Sequence, residues 1–144
     1  MNNMTPEQRV YHAAIIDGEG CISLRSETKS RKFTCYSPHI GVTNTNILLL
    51  DYLRKTSGIG VIDPKNSNNP RAKVGYTWRL FIGDMSDYLN QIYDYLIIKQ
   101  DQAYYMLDYL KLEKGNRHHQ PSDDILISRN AIHSILKELN RRGT

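Results

Sequence analysis

Ala13-Ala14-Ile15-Ile16-Asp17-Gly18-Glu19-Gly20 is the stretch on which the reading of this chain turns. Small and apolar residues run into two acids set among glycines. Upstream, Thr5-Pro6-Glu7-Gln8 has the form of a capping box, with Thr at the N-cap, Pro at N1 and Gln at N3. A helix is therefore expected to run from there to about Asp17, with Gly18 and Gly20 marking its stop. Acids are misplaced at such an end. The helix C-terminus carries partial negative charge, and each carboxylate there costs ~0.3–1 kcal/mol. A carboxylate beside exposed helix carbonyls is a good seat for a hard divalent cation. The same residues also suit a plain helix–turn–strand junction with solvated acids.

Working outward, the pattern changes from helical to alternating. Residues 21–27 put Ile22 and Leu24 on one side and Ser23, Arg25 and Glu27 on the other, as in a half-buried strand. A basic turn at 29–32 leads to a second strand over 33–45, with Ile40 and Val42 toward the core and Pro38 suggesting an edge or a strand start. Asn46 caps a second helix striped by Ile47, Leu49, Leu50 and Leu53 and ended by Gly58. A short strand at 60–63, a polar loop and a fourth strand at 74–82 follow, the last carrying Trp78, which suits either core or outer face. Asp84 or Ser86 caps a third helix ending near Tyr95, and Lys99 opens a fourth. Ser122 or Ser128 caps a last helix, in which Ile132, Ile135, Leu136 and Leu139 recur at helical spacing. The order predicts an α+β fold, α-β-β-α-β-β-α plus C-terminal helices, with a core over 1–114 and a linker and helical extension of the same domain over 115–144. The acidic stretch occurs once, without an internal repeat.

The chain has 144 residues, 40% hydrophobic and 24% charged, with a net charge of +4. That composition suits a soluble domain with a substantial core. No apolar run approaches the ~18 residues of a membrane span, so no membrane partner is expected. Cys21 and Cys35 fit no zinc spacing and no disulfide framework. They read as free thiols in an intracellular, reducing compartment, either the cytoplasm of a microbe or an organelle matrix. Arg25, Lys29, Arg31, Lys32, Lys65, Arg71, Lys73 and Arg79 gather in the predicted strands and hairpin loops, as suits a polyanionic partner or simply guarded hairpin edges.

His12-Ala-Ala-Ile-Ile-Asp-Gly-Glu-Gly20 resembles the signature of the LAGLIDADG homing endonucleases, of the single-motif, homodimeric type. It departs at His12, where Leu is usual, and has Glu19 where the family has Asp, which keeps the carboxylate. The resemblance spans roughly residues 5–112. It implies a saddle-shaped antiparallel sheet whose polar face enters the DNA major groove. It also implies a site-specific, divalent-metal-dependent endonuclease that cuts both strands of a long pseudo-palindromic duplex as a homodimer. An alternative on the same scaffold is a non-catalytic nucleic-acid binder, such as an intron-splicing maturase with intron RNA as a partner, or a regulator.

The resemblance assigns roles. Glu19, with the Gly18 carbonyl, would hold Mg²⁺ (or Mn²⁺), and two copies of Glu19 would meet across the two-fold axis. Asn44 falls where many members have a water-positioning Gln. Lys99 matches a basic residue that stabilises transition-state charge. A further base has no match, since Leu48 stands there. Val10, Ala13, Ala14 and Asp17 would lie at the dimer contact, where small side chains allow close helix approach, and Asp17 would also cap or brace the helix end. Arg25, Glu27, Lys29, Arg31, Lys32, Lys65, Arg71, Lys73 and Arg79 would contact DNA, with strand positions reading base edges. A strand of ten residues spans ~33 Å, about ten base pairs, so two subunits would cover about twenty.

Overall fold

In the computed structural model, which describes residues 1–27, 34–65, 68–113 and 121–141, helix α1 spans Pro6–Glu19 and begins with the expected box. The Gln8 N–H donates to Thr5 Oγ1 at 3.2 Å, and the Thr5 N–H donates to Gln8 Oε1 at 3.0 Å. The helix runs through Gly18 and stops at Gly20, later than the expected end near Asp17. A Cβ at Gly20 would strike the Ile16 backbone at 2.7 Å, so only glycine lets the chain leave the helix and enter the sheet here.

Strands β1 (Gly20–Glu27), β2 (Cys35–Asn44), β3 (Val61–Lys65) and β4 (Gly75–Arg79) form one antiparallel sheet in the order β1-β2-β4-β3. Helix α2 (Ile47–Ser57) lies between the hairpins. The Leu48 N–H donates to Asn46 Oδ1 at 3.0 Å at its start, and Gly58 ends it with φ of +72°. The alternation read from sequence sets the two faces. Ile22, Leu24, Ile40, Val42 and Trp78 are buried together beneath the helices. Trp78 is therefore core, and its indole N–H donates to the Ile59 carbonyl at 3.0 Å. The odd-numbered positions of β1 and β2 face away from the helices.

Further features differ from the expected ones. The fourth strand ends at Arg79 rather than near Ile82, because α3 (Ile82–Ile92) starts directly after the ladder's last bond, from Leu80 N–H to Ile40 O. Phe81 stands at its N-cap without a side-chain bond, so neither Asp84 nor Ser86 caps it. A 3₁₀ turn over Tyr93–Tyr95 follows, then α4 (Gln100–Glu113). Pro38 lies well inside β2, not at its start. It is tolerated because β4 pairs with β2 only from Gly41 onward, leaving the side away from β1 open at Pro38.

Helix α5 (Asp123–Arg141) is capped by Ser122, whose Oγ accepts from Ile125 N–H at 3.4 Å and whose carbonyl accepts from Leu126 N–H at 3.0 Å. Ile132 and Leu136 join the common core. Asn140 donates to the Ile22 carbonyl at 3.0 Å and so covers the outer edge of β1. Tyr36 of β2 stacks on His133, with centroids 4.7 Å apart, and its hydroxyl bonds Asn130.

His12, the departure from the signature, is fully buried. Thr56 Oγ1 gives its hydrogen to the Tyr52 carbonyl at 2.7 Å, so it accepts from His12 Nε2–H, also at 2.7 Å. Nδ1 then accepts from the Tyr88 hydroxyl at 3.0 Å. The imidazole is neutral and fully satisfied, and burial holds its pKa down at about 4.

Candidate functional site

The acidic end of α1 carries no base of its own in its last turn. The compensation arrives from the far side of the sequence. The Asp17 carboxylate accepts three successive backbone N–H groups, from Ile97 at 2.8 Å, Ile98 at 3.1 Å and Lys99 at 2.9 Å. Successive N–H groups converging in this way form an anion nest. In return Lys99 Nζ donates to the Asp17 carbonyl at 2.8 Å, which sets a cation on the negative end of α1. Lys99 is 4% exposed. Asp17 is expected to brace the helix end as well as to lie at a contact between two copies. Its carboxylate does brace that end, docking the start of α4 to the end of α1 within the same chain.

Beyond that junction, Glu19 is exposed and its carboxylate makes no hydrogen bond or ion pair among the described residues. Gly18, one residue earlier, is also exposed, and nothing stands within 4 Å of where its Cβ would be. The residues thus offer a free carboxylate beside the last-turn carbonyls, an oxygen-only donor set suited to a hard cation. Among the described residues no group of three His, Cys, Asp or Glu gathers to hold a metal within one chain. Asn44 sits two residues beyond Val42, the partner of Gly20 across β1 and β2. Its Oδ1 accepts from the Asn46 N–H at 2.8 Å, closing the turn into α2 and leaving its amide N–H groups for other partners. Leu48 is 74% exposed.

The sheet face turned away from the helices carries one series of side chains, row by row. Glu27 lies opposite Cys35, Arg25 opposite Ser37, and Ser23 opposite His39. Arg79 lies opposite both Gly41 and Val61, and Thr77 opposite both Thr43 and Asp63. The Thr43 and Thr77 hydroxyls meet at 2.8 Å, and Arg79 Nε donates to Asp63 Oδ2 at 2.6 Å. His39 lies between Arg25 and Arg79. Partial burial and then those two positive charges lower its pKa to about 4, so it stands neutral among cations. Lys65 ends β3, and Lys65, Arg71 and Lys73 are all exposed. Lys29, Arg31 and Lys32 lie outside the described residues. His39 and Asp63 escaped the sequence reading. Their odd-number register with Arg25 and Arg79 was the signal that would have found them.

On α1, Val10 and Ala14 are exposed, as an interface with a second copy requires. Ala13 is not available for one, because it is completely buried in its own chain's core. The expected small-residue face therefore shifts around the helix, to Val10, Ala14 and Gly18. Ile97, 87% exposed, adjoins the Asp17 end of it.

The sequence matches no protein-family model and no curated protein. Solved structures do match. The archaeal intron-encoded homing endonuclease I-Vdi141I, complexed with DNA, superposes with a TM-score of 0.79 at 18% identity, covering 96% of this chain and 87% of that one. The homing endonuclease I-CvuI, in complex with a DNA target in the presence of Mg, gives 0.76 at 16% identity, covering 92% and 82%. The homing endonuclease I-TnaI gives 0.63 at 18%, covering 98% and 99%.

Proposed function

We propose that this chain, which has the fold of the LAGLIDADG homing endonucleases in its single-motif size, is a site-specific, divalent-metal-dependent DNA endonuclease acting as a homodimer. The observation that carries the reading is the unpartnered Glu19 at the end of α1, adjoining an open sheet face that bears Arg25, His39 and Arg79. The open face lies in the major groove of duplex DNA, with strand side chains at base edges and Lys65, Arg71 and Lys73 at phosphates. Two copies meet through Val10, Ala14 and Gly18, so the two Glu19 carboxylates and Gly18 carbonyls share Mg²⁺ or Mn²⁺. A cation held there supplies an activated water and neutralises charge on the scissile phosphate. Lys99, fixed to the Asp17 carbonyl, adds positive potential at the same end, and Asn44 offers its free amide N–H groups to solvent near β2's end.

A second reading keeps the DNA- or intron-RNA-binding face without cleavage. It is favoured by Leu48 standing exposed where the family has a base, and by the commitment of Asn44 Oδ1 to the turn into α2. One experiment separates the two. Duplexes enriched by binding from a random library are incubated with the protein in Mg²⁺ or Mn²⁺. The wild type is expected to cut both strands, and Glu19→Gln to bind the same duplexes without cutting. Cutting by Glu19→Gln at the wild-type rate refutes the metal assignment. Binding by the wild type with no cutting in either metal selects the second reading.

A further inference from the structure

An acid in the middle of a surface that faces a polyanion repels its partner. Among the described residues the open sheet face has two, Glu27 near the tip of β1 and Asp63 in β3. Asp63 lies within the basic cluster, with its side chain 49% exposed and that of Arg79 43% exposed. A half-exposed ion pair adds little to stability, so folding does not account for an acid there. Its geometry does. The bond runs to Nε at 2.6 Å, which leaves both terminal amino groups of the guanidinium free. The Arg79 guanidinium carbon lies 5.3 Å from the centroid of the Phe81 ring, a second restraint on the same group. Across β2, the position facing Arg79 is Gly41, so no side chain stands there. A Cβ at Gly41 would lie 2.7 Å from the Trp78 carbonyl and 3.3 Å from the His39 ring, so that gap cannot readily be filled.

We propose that Asp63 is a positioning residue for base recognition: it clamps Arg79 by Nε so that the two terminal amino groups project from the open face and take the O6 and N7 acceptors of one guanine in each half-site. This rests on the reading of the open face as the DNA surface. The fork of an arginine matches the guanine edge in the major groove only when its plane is held, and a clamp at Nε holds the plane without using the fork. The electrostatic cost of Asp63 falls on DNA of every sequence alike, whereas its benefit falls on one base pair. Asp63 thereby trades general affinity for discrimination.

The test selects bound duplexes from a randomised library with wild type, Asp63→Ala, Asp63→Asn and Arg79→Lys, and measures affinity for bulk non-specific DNA beside it. The wild type is expected to select guanine at one symmetric pair of positions. Asp63→Ala loses that preference by about tenfold, while its affinity for non-specific DNA holds or tightens. Asp63→Asn retains most of the preference, because the amide oxygen still accepts from Nε. A purely electrostatic role for Asp63 predicts that Asn behaves as Ala. Arg79→Lys keeps the charge and the salt dependence but loses the guanine. Thermal melting shows which variants fold, and if Asp63→Ala does not, Asn and Arg79→Lys decide. The inference is overturned if Asp63→Ala keeps the guanine preference, if Asp63→Asn loses it as fully as Ala, or if Arg79→Lys leaves the profile unchanged. A wild-type protein that binds no DNA overturns the DNA reading of the sheet, and this inference with it.

Discussion

Replacing Asp17 with Ala removes the acceptor of three backbone N–H groups at 2.8, 3.1 and 2.9 Å. Hydrogen bonds to a charged group are each worth about 1.5–3 kcal/mol. They do not sum to the full total here. Ile97 and Ile98 are exposed, so their N–H groups recover water when the carboxylate goes. The Lys99 N–H is partly buried, and Lys99 itself is docked through the same junction by Nζ. The loss is therefore one to two bonds' worth, about 2–4 kcal/mol. Urea unfolding measures it, and Asp17→Asn, which keeps one acceptor oxygen, should lose about half as much. Hydrogen exchange should accelerate at the amides of Ile97, Ile98 and Lys99 before it does so in the sheet. Lys99→Met in a double-mutant cycle with Asp17→Ala should show coupling of about 1 kcal/mol or more, since both sides of one junction are removed. A loss under ~0.5 kcal/mol with unchanged exchange at residues 97–99 refutes the junction as a tie between α1 and α4.

His12 has a pKa lowered to about 4 in the folded chain against an ordinary 6.5, so the unfolded chain binds the extra proton first. Its contribution, about 3 kcal/mol, is complete above pH 6.5 and is lost as pH falls toward 4. His12→Leu should flatten the pH dependence of urea stability in that window. Adjacent alanines should respond in opposite ways. Ala13→Leu overpacks the chain's own core at ~1–3 kcal/mol, whereas Ala14→Leu leaves monomer stability within ~0.5 kcal/mol and weakens self-association in sedimentation. On the DNA reading, Arg25→Ala relaxes base preference at one symmetric pair of positions and costs ~1–3 kcal/mol on target duplex, with a smaller effect on scrambled duplex over the same salt series.

The local chemistry of the chain was legible. Thr5 and Gln8, Asn46, Gly58 and the alternation over 21–27 each specify their geometry within a few residues, and each appears as read. Most of what failed needed distant partners. Asp17 and Lys99 stand 82 residues apart, and nothing in their own neighbourhoods shows that carboxylate and ammonium are spent on each other's backbone. Ala13 and Ala14 are indistinguishable by type, and one turn-fraction of helix rotation decides that the first is core and the second is surface. The third helix is the local exception: Asp84 and Ser86 have the cap chemistry, but Phe81 fills the N-cap position by backbone angle alone. His12 ran the other way. A histidine in an apolar stretch implies two buried partners, and Tyr88 and Thr56 lie far along the sequence.

The tie between Asp17 and Lys99 closes a loop of 82 residues, and that separation has a kinetic meaning. Bringing such ends together costs about 4 kcal/mol of chain entropy by the logarithmic closure law, so this contact is expected to form late among the steps of folding. On the ribosome, at ~5–20 residues per second, the nest emerges about 4–16 s after the carboxylate it receives. The β1–β2 hairpin, whose strands end at Glu27 and begin again at Cys35, has no such wait. A bond made after the rate-limiting barrier acts on escape from the native state and leaves entry to it nearly untouched. Asp17 is thus placed to govern how long the folded molecule survives, and its loss should shorten that lifetime by roughly two orders of magnitude while the chain refolds at nearly its original speed.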